Sequence, residues 1–366
     1  MPIFPAPFSL LPPSSSFFLP MLTSDHRIAI LLHEGTRTAR GKTGLSLLRY
    51  SNIPIVAVID YDCAGQSLSE LTKIPREVPI VASVQESLVY EPTVLAIGIA
   101  PSGGRLPEAW WQEVKQAVVA GMSIVNGLHT PLATDGELQS DLKPGQWIWD
   151  VRREPGGLTV GSGQARLLPC LRVLMVGTDM SVGKMSTGLE LHKVTLERGL
   201  RSRFLATGQT GLMLGHDGIP LDAVRIDFAS GAVEQLLMRY GYDYDVLYVE
   251  GQGSLMNPAS TATLPLIRGS QPTHLILVHR AGQTHIHNFP HVPIPPLRKA
   301  IEVYETIASA GGAFGSVKVA AIALNTFHLS ETEAQQAIEQ SQLETGLPCT
   351  DAVRYGAEPL LDAILR

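Results

Sequence analysis

LRVLMVGTDMSVGK, residues 171–184, decides how this chain folds. The predominantly apolar run 171–176 has the length and composition of a strand buried on both faces. It ends in a loop bounded by Gly177 and Gly183, and from Lys184 a helix-compatible stretch continues to Gly199. Glycine at either end lets the backbone curl so that N–H groups from Thr178, Asp179, Ser181 and Val182 turn inward. The helix N-terminus adds a partial positive charge and Lys184 a full one. Such a loop holds phosphorylated ligands.

Five residues separate the glycines where the usual phosphate-loop fingerprint has four, and Met185 follows the lysine where Ser or Thr normally offers magnesium a hydroxyl. A thioether is too soft a donor for Mg²⁺. Ser186 or Thr187 can replace it only if the first helical turn is shifted, because adjacent helical residues point about 100° apart. Phosphate binding is expected, with Mg²⁺ possible through Ser186.

Upstream, RIAILLH (27–33), IPIVAVID (53–60), VPIVAS (78–83), TVLAIGIA (93–100) and MSIVNG (122–127) read as strands, with a helix in 105–121. Strands alternating with helices imply right-handed crossovers and a parallel sheet. The fold class is therefore α/β: a Rossmann-like domain over 26–160, followed by a P-loop NTPase-like parallel-sheet domain over 161–366, with the boundary in the Gly/Pro-rich stretch 152–170. Residues 1–25 are rich in Pro, Ser and Phe and lack Lys and Arg; they read as a disordered tail, or as a start placed too early with Met21 as the true first residue. The turn HEGTRTARGKTG (33–44) repeats the five-residue spacing with Gly35, Gly41 and Lys42, and Asp60 closes the second strand where a Rossmann domain keeps a ribose-binding acid. The turn is either a second anion site, with Arg37 as a substrate cation, or structural. PSGGRLP (101–107) lies beyond a strand end as a cleft lip.

Downstream, RFLATGQTG (203–211) reads as a strand ending in Gln209 and Thr210. Asp227 precedes a helix carrying Glu234, and YDVLYVEGQGSL (244–255) is a strand ending in Glu250. Carboxylates at strand ends beside a phosphate loop hold a metal or orient a nucleophile, so Asp227 and Glu250 are the candidate catalytic and metal-ligating acids. Arg152, in DVRREP, is either a solvated linker residue or a substrate cation. Asn325, at a later strand end, either reads a purine edge or caps its turn. The histidine-rich 273–296 reads as a strand followed by a mobile loop over the ligand; His285 and His287 alone make a poor metal site.

The net charge of −6 and the lack of a Lys/Arg block give no reason to expect nucleic acid, and no apolar run reaches membrane-spanning length. Cys63, Cys170 and Cys349, odd in number and far apart, fit a reducing cytoplasm and apolar packing. Assembly into a symmetric homo-oligomer is the default expectation.

The loop GTDMSVGK and the strand end VEGQGS resemble dethiobiotin synthetase, whose glutamate in a VEGxG setting binds Mg²⁺; that resemblance makes Asp227 the partner carboxylate, and Met185 departs from it. GKTG (41–44), GLH (127–129), DVR (150–152), GTDMSVGKMST (177–187), ATGQTG (206–211), DFASGAVE (227–234) and VEGQGSL (249–255) together resemble the DgcN-type family of D-glutamate N-acetyltransferases, for which Met185 is ordinary. That resemblance implies transfer of an acetyl group from acetyl-CoA to the amine of D-glutamate or a similar small amino acid, with Glu250 and then Asp227 as base and Arg152 or Arg37 on a substrate carboxylate. The alternatives are an ATP- and Mg²⁺-dependent ligase, in which Lys184 neutralises the γ-phosphate, and a nucleotide-sensing module without chemistry.

Overall fold

The computed structural model describes residues 22–99 and 106–366; residues 1–21 of the expected tail and 101–105 of the expected cleft lip lie outside them. Two six-stranded parallel sheets follow one another along the chain. The first is built from β1 (Ile28–Leu31), β2 (Ile55–Ile59), β3 (Ile80–Val81), β4 (Val94–Ile97), β5 (Ser123–Asn126) and β6 (Ile148–Asp150), in the order β3-β2-β1-β4-β5-β6. This is the Rossmann arrangement, and the helix Glu108–Val119 supplies the expected crossover before β5.

The second sheet takes β7 (Leu171–Gly177), β8 (Ser202–Leu205), β9 (Val246–Val249) and β10 (His274–Arg280). The short hairpin β11 (His285–Ile286) and β12 (Phe289–Pro293) follows, then β13 (Lys318–Asn325) and β14 (Cys349–Thr350). The sheet order is β14-β13-β10-β7-β9-β8. β7 lies between β9 and β10, and the connections from the carboxyl ends of the neighbours β7 and β10 run in opposite directions, to β8 and to β13, the position where open α/β sheets bind ligands.

Period-two alternation along the central strands explains why their sequences look uniformly apolar. Val173, Met175, Ile276 and Val278 face a core shared with the first domain, whereas Leu174, Val176, Leu275 and Leu277 face a second core on the other side. The first core is continuous across both sheets, so apolar packing as well as the linker joins the domains. Cys63, Cys170 and Cys349 are all buried and free.

Three local readings change. The strand expected to reach Thr210 stops at Leu205, because Ala206 bonds instead to 217–219 and the amides of Thr207 and Gly208 turn to Glu250; Gln209–Met213 is a short helix. Asp227 lies inside the first turn of the helix Ile226–Tyr240 rather than before it. The stretch after β10 contains a hairpin rather than only a loop. Among the described residues, no helix is long and apolar enough to cross a membrane.

Glu234 anchors the linker. Its buried carboxylate accepts the amides of Ser162, Gly163 and Gln164 at 3.1, 2.6 and 3.1 Å, together with the Ser162 hydroxyl. Glu234→Ala would leave three backbone donors facing an empty buried site, each worth about 1–3 kcal/mol in lost hydrogen bonding, partly recovered by entering water. Urea denaturation should show a loss of about 3 kcal/mol; a loss below about 0.5 kcal/mol would mean that the linker is held by other contacts.

Candidate functional site

The carboxyl end of β7 opens into a cavity of about 610 Å³ walled by both domains. Lys42, Ser46, His129 and Arg152 come from the first domain and the linker. The phosphate loop, Gly208–Thr210 and Glu250–Gly253 come from the second.

Lys184 heads the helix Lys184–Glu197 and is buried, with its Nζ donating to the Asp179 carbonyl at 2.8 Å. Burial pulls its pKa down to about 8 against the opposing pull of the Asp179 and Glu250 charges, and Lys42 lowers it further. Gly251 makes this placement possible: a Cβ there would lie 1.6 Å from the Met175 carbonyl oxygen and 2.9 Å from Lys184 Cδ, so only glycine lets the end of β9 pass beneath the lysine stem.

Asp179 is the hub of the loop. Its Oδ1 accepts from the Met180 amide and Asn257 Nδ2, both at 2.7 Å, and its Oδ2 from Gln283 Nε2 at 2.7 Å and the His287 amide at 2.9 Å. Burial alone would raise its pKa, but these donors hold it below the ordinary carboxylate value. Asp179 is thus a fixed anion that ties the β11–β12 segment to the cradle, and its oxygens are too committed to act as a base.

Glu250 is arranged differently. It is buried, and Oε2 accepts the amides of Thr207 at 2.9 Å and Gly208 at 3.1 Å, while Oε1 has no hydrogen bond among the described residues. Burial raises its pKa, opposed by those two amides and by Lys184. A carboxylate held by one oxygen, with the other uncommitted in a cleft and a raised proton affinity, is suited to general-base work.

Arg152 crosses between the domains. Its Nε donates to the Gly127 carbonyl at 2.7 Å and its Nη1 pairs with Asp222, so the linker arginine is oriented rather than solvated. His129 lines the same wall, its pKa lowered by burial and then by Arg152. Lys42 begins the helix Lys42–Tyr50, and its Nζ lies 3.5 Å from Ser181 Oγ across the cleft. The helix can start there because Gly44 and Gly98 meet backbone to backbone, with Gly44 N donating to Gly98 O at 2.8 Å.

Of the residues singled out from sequence, Asp179, Ser181, Gly183, Lys184, Met185, Ser186 line this cleft, and so do Gln209, Thr210, Arg152 and Glu250. Gly177, Thr178 and Val182 form its backing: Thr178 Oγ1 meets His279 Nδ1 at 2.8 Å, and the Val182 carbonyl accepts from Asn325 Nδ2 at 2.9 Å. Asn325 opens onto a neighbouring cavity instead. Asp227 is not brought to the cleft; it is exposed at a helix start, where the helix dipole favours an acid. Arg37 is also elsewhere, exposed and bound to Gln66.

The turn 33–44, read either as an anion site or as structural, is filled from within, since buried Asp60 accepts the amides of Glu34 at 3.3 Å and Thr36 at 3.2 Å and is not free for a ribose. The magnesium set suggested by the sequence does not assemble, because Asp227 is absent and Met185 stands at the usual hydroxyl position. Among the described residues, no group of three His, Cys, Asp or Glu side chains could hold a metal. His129 was marked in the sequence only by the motif GLH, and Lys42 by GKTG and by the repeated five-residue glycine spacing. Asn257, on a long loop, had no such signal, whereas His287 lies in the histidine-rich segment read as a loop over the ligand and reaches Asp179 through its amide.

Two family profiles match: the DUF1611 N-terminal Rossmann-like domain over residues 61–154 and the DUF1611 C-terminal P-loop domain over residues 159–361, both described as domains of unknown function. Proteins named D-glutamate N-acetyltransferase are 36% identical over 77% of this chain and 84% of their own length in Tritonibacter scottomollicae, and 35% identical over 76% and 83% in a Pseudoalteromonas species. The crystal structure of a DUF1611 family protein from Anabaena variabilis superposes with a TM-score of 0.92 at 66% identity, covering 93% of this chain and 99% of that one.

The depressed Lys184 pKa has a definite stability signature. In the native state the lysine loses its proton near pH 8, but in the unfolded chain it keeps it to about 10.4, so between those values the unfolded state binds more protons and stability rises with pH. Comparing wild type with Lys184→Met cancels the other titrations. The wild type should gain on the variant by up to about 3 kcal/mol between pH 8 and 10.5 in denaturant titrations. Parallel profiles would show that the ammonium is not buried in the free protein.

Proposed function

The chain belongs to the DUF1611 family, and on that premise we propose that it is an N-acetyltransferase moving an acetyl group from acetyl-CoA to the amine of D-glutamate or a similar small amino acid. The observation that carries this reading is Glu250, a buried carboxylate with one oxygen fixed by two amides and the other uncommitted, beside a diphosphate cradle. Coenzyme A carries a diphosphate, which the loop amides and Lys184 would hold, with Lys42 closing from the opposite wall. This role needs no divalent cation, which accommodates both Met185 and the placement of Asp227 outside the cleft.

In this reading Arg152, two of whose donors already fix its orientation, presents its remaining edge to an acceptor carboxylate. Glu250 Oε1 takes a proton from the acceptor ammonium. The freed amine attacks the thioester carbonyl, the C–N bond forms and the C–S bond breaks; the extra proton left on the new amide nitrogen passes to the departing sulfur, so coenzyme A leaves as the thiol and Glu250 later returns its own proton to solvent. The names of the two curated relatives support N-acetylation of D-glutamate.

Thiol release from acetyl-CoA with D-glutamate tests this directly. Glu250→Gln should lower kcat about 100-fold or more while acetyl-CoA affinity stays within about threefold, because general-base catalysis contributes on that scale. The acid limb of the wild-type pH profile should lie above the ordinary carboxylate range, as the raised Glu250 pKa requires, and should disappear in the variant. Full activity of Glu250→Gln would remove the carboxylate from the mechanism.

A further inference from the structure

A second cavity of about 410 Å³ opens on the other side of the cradle and shares Gly183 and Ser186 with the first. Its floor is apolar, with Val278 and Leu324 buried at the ends of β10 and β13, and Asn325 is pinned at its edge by the Val182 carbonyl. Phe327 stands 75% exposed at the mouth. The opposite rim is supplied by the first domain through Arg49, in the helix Lys42–Tyr50, and Lys73. Both are exposed, and neither side chain makes a hydrogen bond or salt bridge among the described residues. Arg354, also at this cavity, is committed to Glu331 at 2.9 Å and to the Leu329 carbonyl at 3.0 Å.

We propose that this cavity is the nucleoside end of the coenzyme site, and that Arg49 and Lys73 recognise a phosphate on the ribose, so that the protein selects 3′-phosphorylated adenine nucleotides over ordinary ones. The inference rests on the acetyl-CoA reading and narrows it. A diphosphate in the cradle has two ends, and the cradle has a cavity at each. The end facing Glu250 must carry the reacting group, which leaves the nucleoside for the cavity with the apolar floor and exposed aromatic ring, a suitable surface for stacking a base. An adenine nucleotide such as ATP has no further charge at that end, and nothing about it would call for two cations that make no hydrogen bond or salt bridge among the described residues. A ribose phosphate would. Because both cations come from the first domain, binding there also draws the two domains together across the ligand.

Calorimetric titration of the full-length protein with coenzyme A and with 3′-dephospho-coenzyme A separates the possibilities. The wild type should bind coenzyme A about tenfold or more tightly than the dephospho form at low salt, with the gap narrowing as salt screens exposed charges. The double variant Arg49→Ala, Lys73→Ala should bring the two affinities within about twofold by weakening coenzyme A alone. Equal wild-type affinities, or discrimination that survives in the double variant, would overturn the ribose-phosphate site and leave the acyl-transfer reading standing. Failure of both ligands to bind would overturn both.

Discussion

A single buried ammonium governs the architecture of the site. Lys184 cannot stay charged inside the protein without compensation, and the chain supplies it from three places: the Asp179 carbonyl, the Asp179 carboxylate and the Glu250 carboxylate. Each of these must then be fixed in its turn. Asp179 is fixed by donors from Met180, Asn257, Gln283 and His287, which draws two long loops onto the cradle. Glu250 is fixed by the amides of Thr207 and Gly208, which ends β8 and starts the short helix Gln209–Met213 against the first domain. The course of four chain segments follows from neutralising one charge.

The neutralisation is incomplete in a useful way. Asp179 spends both oxygens on the scaffold, whereas Glu250 spends one, so two carboxylates near the same lysine are driven apart in character: one remains an anion and the other holds a proton more readily than an ordinary glutamate. An incoming diphosphate would take over the pairing of Lys184 and weaken its hold on Glu250. In the acyl-transfer reading proposed above, ligand charge near that carboxylate would raise its proton affinity further and strengthen the base as the donor substrate arrives.

The strands were legible because their composition is dictated by burial on both faces, and the phosphate loop because its glycines and lysine are local in sequence. Glu250 was legible for the same reason: it ends the strand beside the loop. Asp227 was misplaced because a carboxylate at the start of a helix looks alike in sequence whether it faces a ligand or merely complements the helix dipole. The turn 33–44 repeated the phosphate-loop spacing, but its amides are satisfied by Asp60, a partner about twenty-five residues away that spacing cannot reveal. Lys42 gains its position only because Gly44 and Gly98 meet, a contact between distant segments. Residues whose role depends on the fold's long-range closure were those that local pattern could not place.

The departure at Met185 fits the same logic. A hydroxyl there would serve a cation bridging terminal phosphates, whereas a thioether packs partly against the core shared by the domains. The second wall of the cleft carries the cations Lys42 and Arg152. Fixed side-chain cations would suit a diphosphate that stays intact, as the proposed acyl transfer requires, since they need neither follow a departing phosphoryl group nor exchange with solvent. In the proposed acyl transfer the cradle would grip phosphate without cutting it, and the Glu250 carboxylate beside it would act on a different bond.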